Sequence, residues 1–276
     1  MPASQSTPGG YNRLIDILVT KLRPIQFRGK GRLMEFVVPR TGRRDAVVFG
    51  SRFSFDLSDW LQRHMYAGSF ERNETRIVRE MLRPGMTFVD VGANVGYYTA
   101  LASRLVGPTG SVFAFDPSEY AFPRLSRMIE LNGLTNVRAF QCGLADVAGE
   151  RLLFGAVDEG TCDLHTATMV PNGDPHRAVV RTDTLDRMAE QLNIKKIDFM
   201  KIDVDGFEPL VLAGAAGLIA EGRISHIMFE CAEVGFRRMN TSTVELVEQL
   251  RSKGFSKFLQ IGTLGPESCT TCFASL

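Results

Sequence analysis

No apolar run in this sequence approaches the roughly 18 to 20 residues that cross a bilayer. Its first ten residues, MPASQSTPGG, contain no apolar stretch of the signal-peptide kind. Neither a membrane span nor a secretory leader is expected, and the chain reads as cytoplasmic. Excess charge is missing too: 32 basic against 31 acidic residues leave +1, a balance that gives no sign of nucleic acid or an anionic surface as partner. A small or neutral partner fits better. Cysteine is sparse and odd in number. The five, Cys142, Cys162, Cys231, Cys269 and Cys272, are spread through a large chain and do not read as a secreted disulfide framework. Cys269 and Cys272 form a single CxxC without a second pair or a histidine pair, so no metal site is expected there.

What is present suits a sizeable core. At 276 residues and 44% hydrophobic, the chain has room for one large domain, or one with a small appendage. The stretch around which it is organised is Thr87-Phe88-Val89-Asp90-Val91-Gly92-Ala93-Asn94-Val95-Gly96. Thr87 to Val91 has the β-branched, apolar character of a buried parallel strand, and Tyr97 to Val106 is a helix stopped by Gly107-Pro108. Gly92 and Gly96 permit torsions and close approach that a β-carbon forbids, while Asp90 puts a carboxylate at the strand's carboxyl end. A dinucleotide fingerprint needs glycine at the first, third and sixth positions, and Asn94 and Tyr97 occupy two of these. S-adenosylmethionine has no pyrophosphate to cradle, and its amino group or sulfonium gains from an acid such as Asp90.

Along the chain, residues 1 to about 10 read as a leader without structure, and Asn12 to Leu22 as an amphipathic helix. Leu33 to Val38 and Ala46 to Phe49 read as a hairpin turning at Thr41-Gly42. Leu57 to Met65 and Arg72 to Arg83 read as helices, the second with an arginine stripe on its solvated side. Ser111 to Phe115 is a second strand ending at Asp116, 24 residues beyond Gly92, where a carboxylate meets both ribose hydroxyls in doubly wound folds. Asn136 to Gln141 is a third strand. The following Cys142-Gly143-Leu144-Ala145-Asp146 loop would lie near adenine, with Asp146 able to accept from its amino group.

Residues 149 to 181 interrupt the alternation, with strands at Arg151 to Phe154 and Ala178 to Arg181 around a polar excursion. His165 in that excursion is a candidate base; a hydrogen-bonded loop histidine is the alternative. Asp183 or Thr184 caps a helix to Leu192. Ile197 to Gly206 reads as the fourth strand, in which period two puts Lys201, Asp203 and Asp205 on one face with the acids at the ligand end. An acid there orients an acceptor hydroxyl or takes its proton; an ion pair of Asp203 with Lys201 is the competing reading. Ile224 to Phe229 is a fifth strand with Glu230 at its end, and a helix from Thr241 to Lys253 precedes two last strands. The fold expected is α/β, a doubly wound, mostly parallel seven-stranded Rossmann-like sheet with one antiparallel strand at its edge. Residues 1–67 would form an N-terminal helix and hairpin appendage, and residues 68–276 the main domain with 149–181 as its insertion.

Taken together, Glu80 to Met86, Val89 to Gly96, Phe113 to Pro117, Lys201 to Glu208 and Val211 to Ala215, with Gly68-Ser69-Phe70-Glu71 ahead of them, resemble the FkbM-type S-adenosylmethionine-dependent methyltransferases. The resemblance spans about Gly68 to Glu230. This chain carries Asp116 and Asp205 where the family usually has Glu, and Cys231 where it often has His. The resemblance implies O-methylation of a hydroxyl on a small natural product, a sugar or a lipid-linked saccharide, with S-adenosyl-L-methionine as cofactor. Carried onto these positions, the cofactor set is Glu71, Asp90, Gly92, Ala93, Asn94, Gly96, Thr99, Asp116, Pro117, Ser118, Cys142, Gly143, Leu144, Asp146 and Asp203. The catalytic candidates are Asp203, Asp205, His165 and Glu230. A non-catalytic cofactor-binding module and a nicotinamide-dependent oxidoreductase are the other readings, and a divalent metal among Asp203, Asp205 and Glu230 is a variant of the first.

Overall fold

Leu33 to Val37 is helical, with Val38 as its extended cap, in the computed structural model, which describes residues 10–25, 27, 29–155, 167–261 and 270–276. The same residues fit both periods, and the helix prevails because Lys30, Met34 and Val38, spaced by four, are all buried on one side. The Lys30 ammonium donates to the Arg23 and Gly68 carbonyls at 2.7 and 3.0 Å, so even the charged member of that row is satisfied. The hairpin therefore starts later. It pairs β1 (Arg43–Val48) with β2 (Ser51–Asp56), Val48 facing Ser51 across the two-residue turn Phe49-Gly50. Both turn residues have positive φ, 54° and 74°, the geometry that matches strand twist in a tight hairpin.

These strands belong to the first of two compact units, Met1–Arg72, with α1 (Gly10–Leu22), α2 (Lys30–Val37) and α3 (Trp60–Ala67). Asp59 caps α3 by accepting from the Gln62 N–H. Tyr66 of α3 donates to Asp16 of α1 at 2.7 Å, which fastens these two helices together.

The second unit is Asn73–Leu276. After α4 (Arg72–Met81), the chain alternates through β3 (Thr87–Val91), α5 (Tyr97–Val106), β4 (Ser111–Phe115), α6 (Ala121–Leu131) and β5 (Val137–Phe140). A three-stranded sheet follows, of β6 (Gly143–Leu144), β7 (Gly149–Phe154) and β8 (Arg177–Asp183), in the order β6-β8-β7. Then come α7 (Leu185–Gln191), capped by Thr184, β9 (Phe199–Ile202), α8 (Glu208–Ala213), α9 (Ala216–Ala220), β10 (His226–Cys231), α10 (Glu233–Arg238) and α11 (Thr243–Ser252). The chain closes with β11 (Lys257–Ile261) and β12 (Thr270–Ser275).

The main sheet has seven strands in the order β11-β12-β10-β9-β3-β4-β5. β3, β4, β5, β9 and β10 are parallel, and β12 is antiparallel to both neighbours. The antiparallel strand is thus second from the edge, not at it, because β12 folds back from β11 and inserts beside β10. Phe88, Phe199 and Phe229, fully buried on adjacent strands, belong to the core beneath the helices. Strand order reverses at β3, with β4 on one side and β9 on the other, which opens a crevice at the carboxyl ends of these strands. No helix among the described residues is long and apolar enough to cross a membrane.

Candidate active site

The crevice is built from the β3–α5 loop outward. Gly92 and Ala93 donate their N–H groups to the Phe115 carbonyl at 2.9 and 3.1 Å, tying the loop to the end of β4. Gly92, Asn94 and Gly96 have φ of 78°, 49° and 90°, so the loop curls tightly before α5 begins. At Gly92 a β-carbon would lie 1.9 Å from the Asp203 carbonyl oxygen, and the chain after β9 crosses where that carbon would be. Asp203 in turn donates its N–H to Val91 at 3.0 Å. At Gly96 the constraint is the φ of 90°, since a β-carbon there would meet only the flexible ends of the Met128 and Leu125 side chains of α6.

Two carboxylates are fixed around this loop, one by the loop itself and one by α5. Asp116 is 6% exposed, and its oxygens accept from the backbone N–H of Asn94 at 2.7 Å and of Ser118 at 2.9 Å. Each oxygen keeps a second lone pair. Burial pushes the Asp116 carboxyl up to about 6 against the pull of those two donors. The Ser118 hydroxyl accepts from Tyr120 and Ala121 at the start of α6, so Asp116-Pro117-Ser118 is a braced corner. Asp90, within β3, is 0% exposed and accepts from the Thr99 hydroxyl at 2.6 Å. Its other oxygen, Oδ1, and the buried Asn94 Oδ1 have no hydrogen-bond donor among the described residues. Burial raises the Asp90 pKa, and the charge of Lys201 works against that rise.

Lys201 is level with Asp90 across the β3–β9 ladder. Its buried ammonium donates to Asp203 Oδ2 at 2.7 Å and lies 4.6 Å from the centre of the Tyr98 ring. The ion pair weighed against a catalytic Asp203 is therefore formed. Asp205 departs from the expected strand alternation. β9 ends at Ile202, and Asp205 stands in a turn at φ 51°, with Gly206 at 97° pressed against Gly235. The Thr168 hydroxyl holds this turn by donating to the Asp205 carbonyl at 2.9 Å. Part of Asp205 remains exposed, yet burial, then the charge of Asp203, hold its carboxyl well above the ordinary carboxylate range. A non-glycine residue in the left-handed region at a strand's carboxyl end is a place where strain and function commonly coincide.

Glu208 is the residue that sequence reasoning passed over. An acid in the first turn of a helix reads as ordinary dipole complementation, and only its complete burial sets it apart. One oxygen accepts from Val204 N–H at 3.0 Å, and the other has no donor among the described residues. Burial drives its carboxyl up to about 8, so it is held neutral at ordinary pH. Because its folded pKa lies above the ordinary 4.5, the folded chain binds this proton more tightly than the unfolded one. The resulting stability is full below pH 4.5 and is lost as pH rises toward about 8. Thermal melting across that window is expected to show Tm falling with pH in the parent and a weaker fall in Glu208→Gln.

The remaining candidates are placed as follows. Glu230 lies on β10 one residue beyond Phe229, the partner of Ile202, and so is level with Asp203. Cys142 is buried, its thiol pushed up to about 11 by burial. Gly143 and Leu144 pair with Thr182 and Asp183, and Asp146 forms an ion pair with Arg151 at the start of the insertion. Glu71, at φ 33°, is the last residue but one of the first unit. His165 and the CxxC member Cys269 lie outside the described residues. Among the described residues no three His, Cys, Asp or Glu side chains are grouped so as to hold a metal ion.

The sequence profile of the methyltransferase FkbM domain matches residues 90–257, well over half of the chain. The chain belongs to the FkbM methyltransferase family. As an FkbM methyltransferase it uses S-adenosyl-L-methionine as cofactor. Two curated relatives are a "Methyltransferase 1" of Beauveria bassiana, 30% identical over 46% of this chain and 57% of its own length, and a ribosomal RNA large subunit methyltransferase E of Alkalilimnicola ehrlichii, 30% identical over 41% and 51%. The chain thus spans about half the length of the curated relatives it matches. Among solved structures, a methyltransferase FkbM from Methylobacillus flagellatus is similar at 13% identity, covering 94% of this chain and 60% of that one, with a TM-score of 0.47.

Proposed function

We propose that this FkbM methyltransferase transfers its methyl group to a hydroxyl oxygen of a small molecule, sugar or lipid-linked saccharide, with Asp205 as the base that receives the hydroxyl proton. The observation that carries this reading is the Asp205 turn: a carboxylate with a raised pKa, partly open, directly after β9. A base poised closer to neutrality takes a hydroxyl proton more readily than an ordinary carboxylate. Asp203, held by Lys201, is then a positioning group whose charge is already balanced. The cofactor supplies an electrophilic methyl on a cationic sulfur. The chain's share would be to hold and orient: Asp116 would accept from the ribose hydroxyls, the Gly92 to Gly96 loop would give close backbone approach, and fully enclosed Asp90, held by the Thr99 hydroxyl, would brace the end of β3 beneath that loop. In-line positioning of this kind is worth roughly 7–11 kcal/mol, whereas a single base contributes about 10²–10⁴-fold. Positioning therefore dominates.

Charge supports this acceptor class. Of the 32 basic and 31 acidic residues, twelve and six fall in Met1–Arg72, so Asn73–Leu276 holds 20 and 25 and stands at −5. An acidic unit around the crevice disfavours a polyanion and suits a neutral hydroxyl compound. The ribosomal RNA relatives make RNA the second acceptor class to be tried. Calorimetric titration with S-adenosylmethionine is expected to give binding that Asp116→Ala weakens by about tenfold or more. Unchanged binding in that variant would remove Asp116 from the donor site. A methyl-transfer screen of sugars, lipid-linked saccharides and RNA then decides the acceptor, and product on RNA alone would overturn the proposal.

A further inference from the structure

The near-zero sum of charges conceals an uneven distribution. With twelve basic and six acidic residues, Met1–Arg72 stands at +6. Its helices also leave large apolar groups in water. On α1, Leu14, Ile17 and Leu18 are exposed, Leu14 by 68%, at the spacing of one helix face that continues to exposed Lys21. On α2, Leu33 and Phe36 are exposed, Phe36 by 88%, beside exposed Arg32. The opposite sides, with Val19 on α1 and Met34 on α2, are buried, and both helices pack on α3. Each helix is therefore amphipathic twice over, with one apolar side spent on the core and a second turned outward beside one cation, Lys21 on α1 and Arg32 on α2, while the exposed Glu35 carboxylate of α2 lies 3.5 Å from the His64 ring.

We infer that the outward faces of α1 and α2 dock on an anionic lipid surface, with Leu14, Ile17, Leu18, Leu33 and Phe36 entering the headgroup boundary and Lys21 and Arg32 meeting lipid phosphates. Charge complementarity selects this occupant. The first unit of a second copy, also at +6, is repelled, and RNA, whose affinity comes from phosphate contacts and base stacking, finds a single aromatic, Phe36, among four aliphatic side chains that it cannot use. A bilayer rewards both the apolar face and the basic groups beside it. The inference concerns the first unit alone and holds whichever acceptor the site methylates.

The test is flotation of the full chain with vesicles of phosphatidylcholine, with or without phosphatidylglycerol. The parent is expected to float with the anionic vesicles only. The double variant Leu33→Ser/Phe36→Ser should lose about tenfold or more of that binding, and Lys21→Glu/Arg32→Glu a similar amount. Calorimetric cofactor binding, unchanged in both, would show that the variants fold. Absence of flotation, or equal flotation of parent and Leu33→Ser/Phe36→Ser, overturns the inference. Binding of homopolymeric RNA in place of vesicles, or a dimer in light scattering that the same double variant abolishes, does so too.

Discussion

Gly92→Ala is expected to cost about 3 kcal/mol or more of stability and to abolish cofactor binding. The added carbon would meet the Asp203 carbonyl oxygen at 1.9 Å, and the residue holds φ 78°, so steric and torsional penalties fall on one position. Neither neighbour has room to give way. The loop is bonded to the Phe115 carbonyl and the segment after β9 to the Val91 carbonyl. For a unit of this size the loss corresponds to a fall of about 10 °C in Tm. Gly133→Ala is the control: its φ is 56°, but an added carbon meets nothing within 4 Å, so only the torsional part, about 1 kcal/mol, should appear. Equal Tm values for the two alanine variants would show that the passage of the segment after β9 against the β3–α5 loop is not the constraint described.

Asp205→Asn is expected to lower kcat by about 10²–10⁴-fold while leaving cofactor affinity unchanged. Asparagine tolerates the left-handed region and keeps the shape of the side chain, so the turn should survive. The pH profile carries the sign. A base works when ionised, so parent kcat/KM should fall as pH drops through the Asp205 pKa, which lies above the ordinary carboxylate range. In the variant this acidic limb should vanish. Retention of the parent rate and limb in Asp205→Asn would sink the assignment and return attention to Asp203 and Glu230.

Local punctuation made part of this molecule readable from sequence. β3, α5 and β4 have the limits expected from apolar runs bounded by Gly92, Gly107-Pro108 and Asp116, because short-range signals alone set them. Asp90, Gly92, Asn94 and Asp116 come together as their spacing suggests, since one loop and the next strand fix all four. Legibility ends where distant packing decides. Leu33 to Val38 fits either period, and only the burial of Lys30, Met34 and Val38 selects the helix. Asp205 continues an apparent alternation past Ile202, but its turn is set by the contact of Gly206 with Gly235 and the bond from Thr168, 29 and 37 residues away. Glu208 carries no sequence mark of its burial, which comes from the elements closing over α8.

The placement of β12 bears on how the sheet is assembled. Among the described residues β11 pairs with the sheet through β12 alone, which lies inside it in the sheet although it follows it in the chain. During synthesis β10 must wait, with an unpaired edge carrying Ile227, Met228 and Phe229, until the ribosome has released residues 270 to 275. A polypeptide stopped at Ile261 would forfeit two strands rather than one, and would present that apolar edge to any other chain able to pair with it.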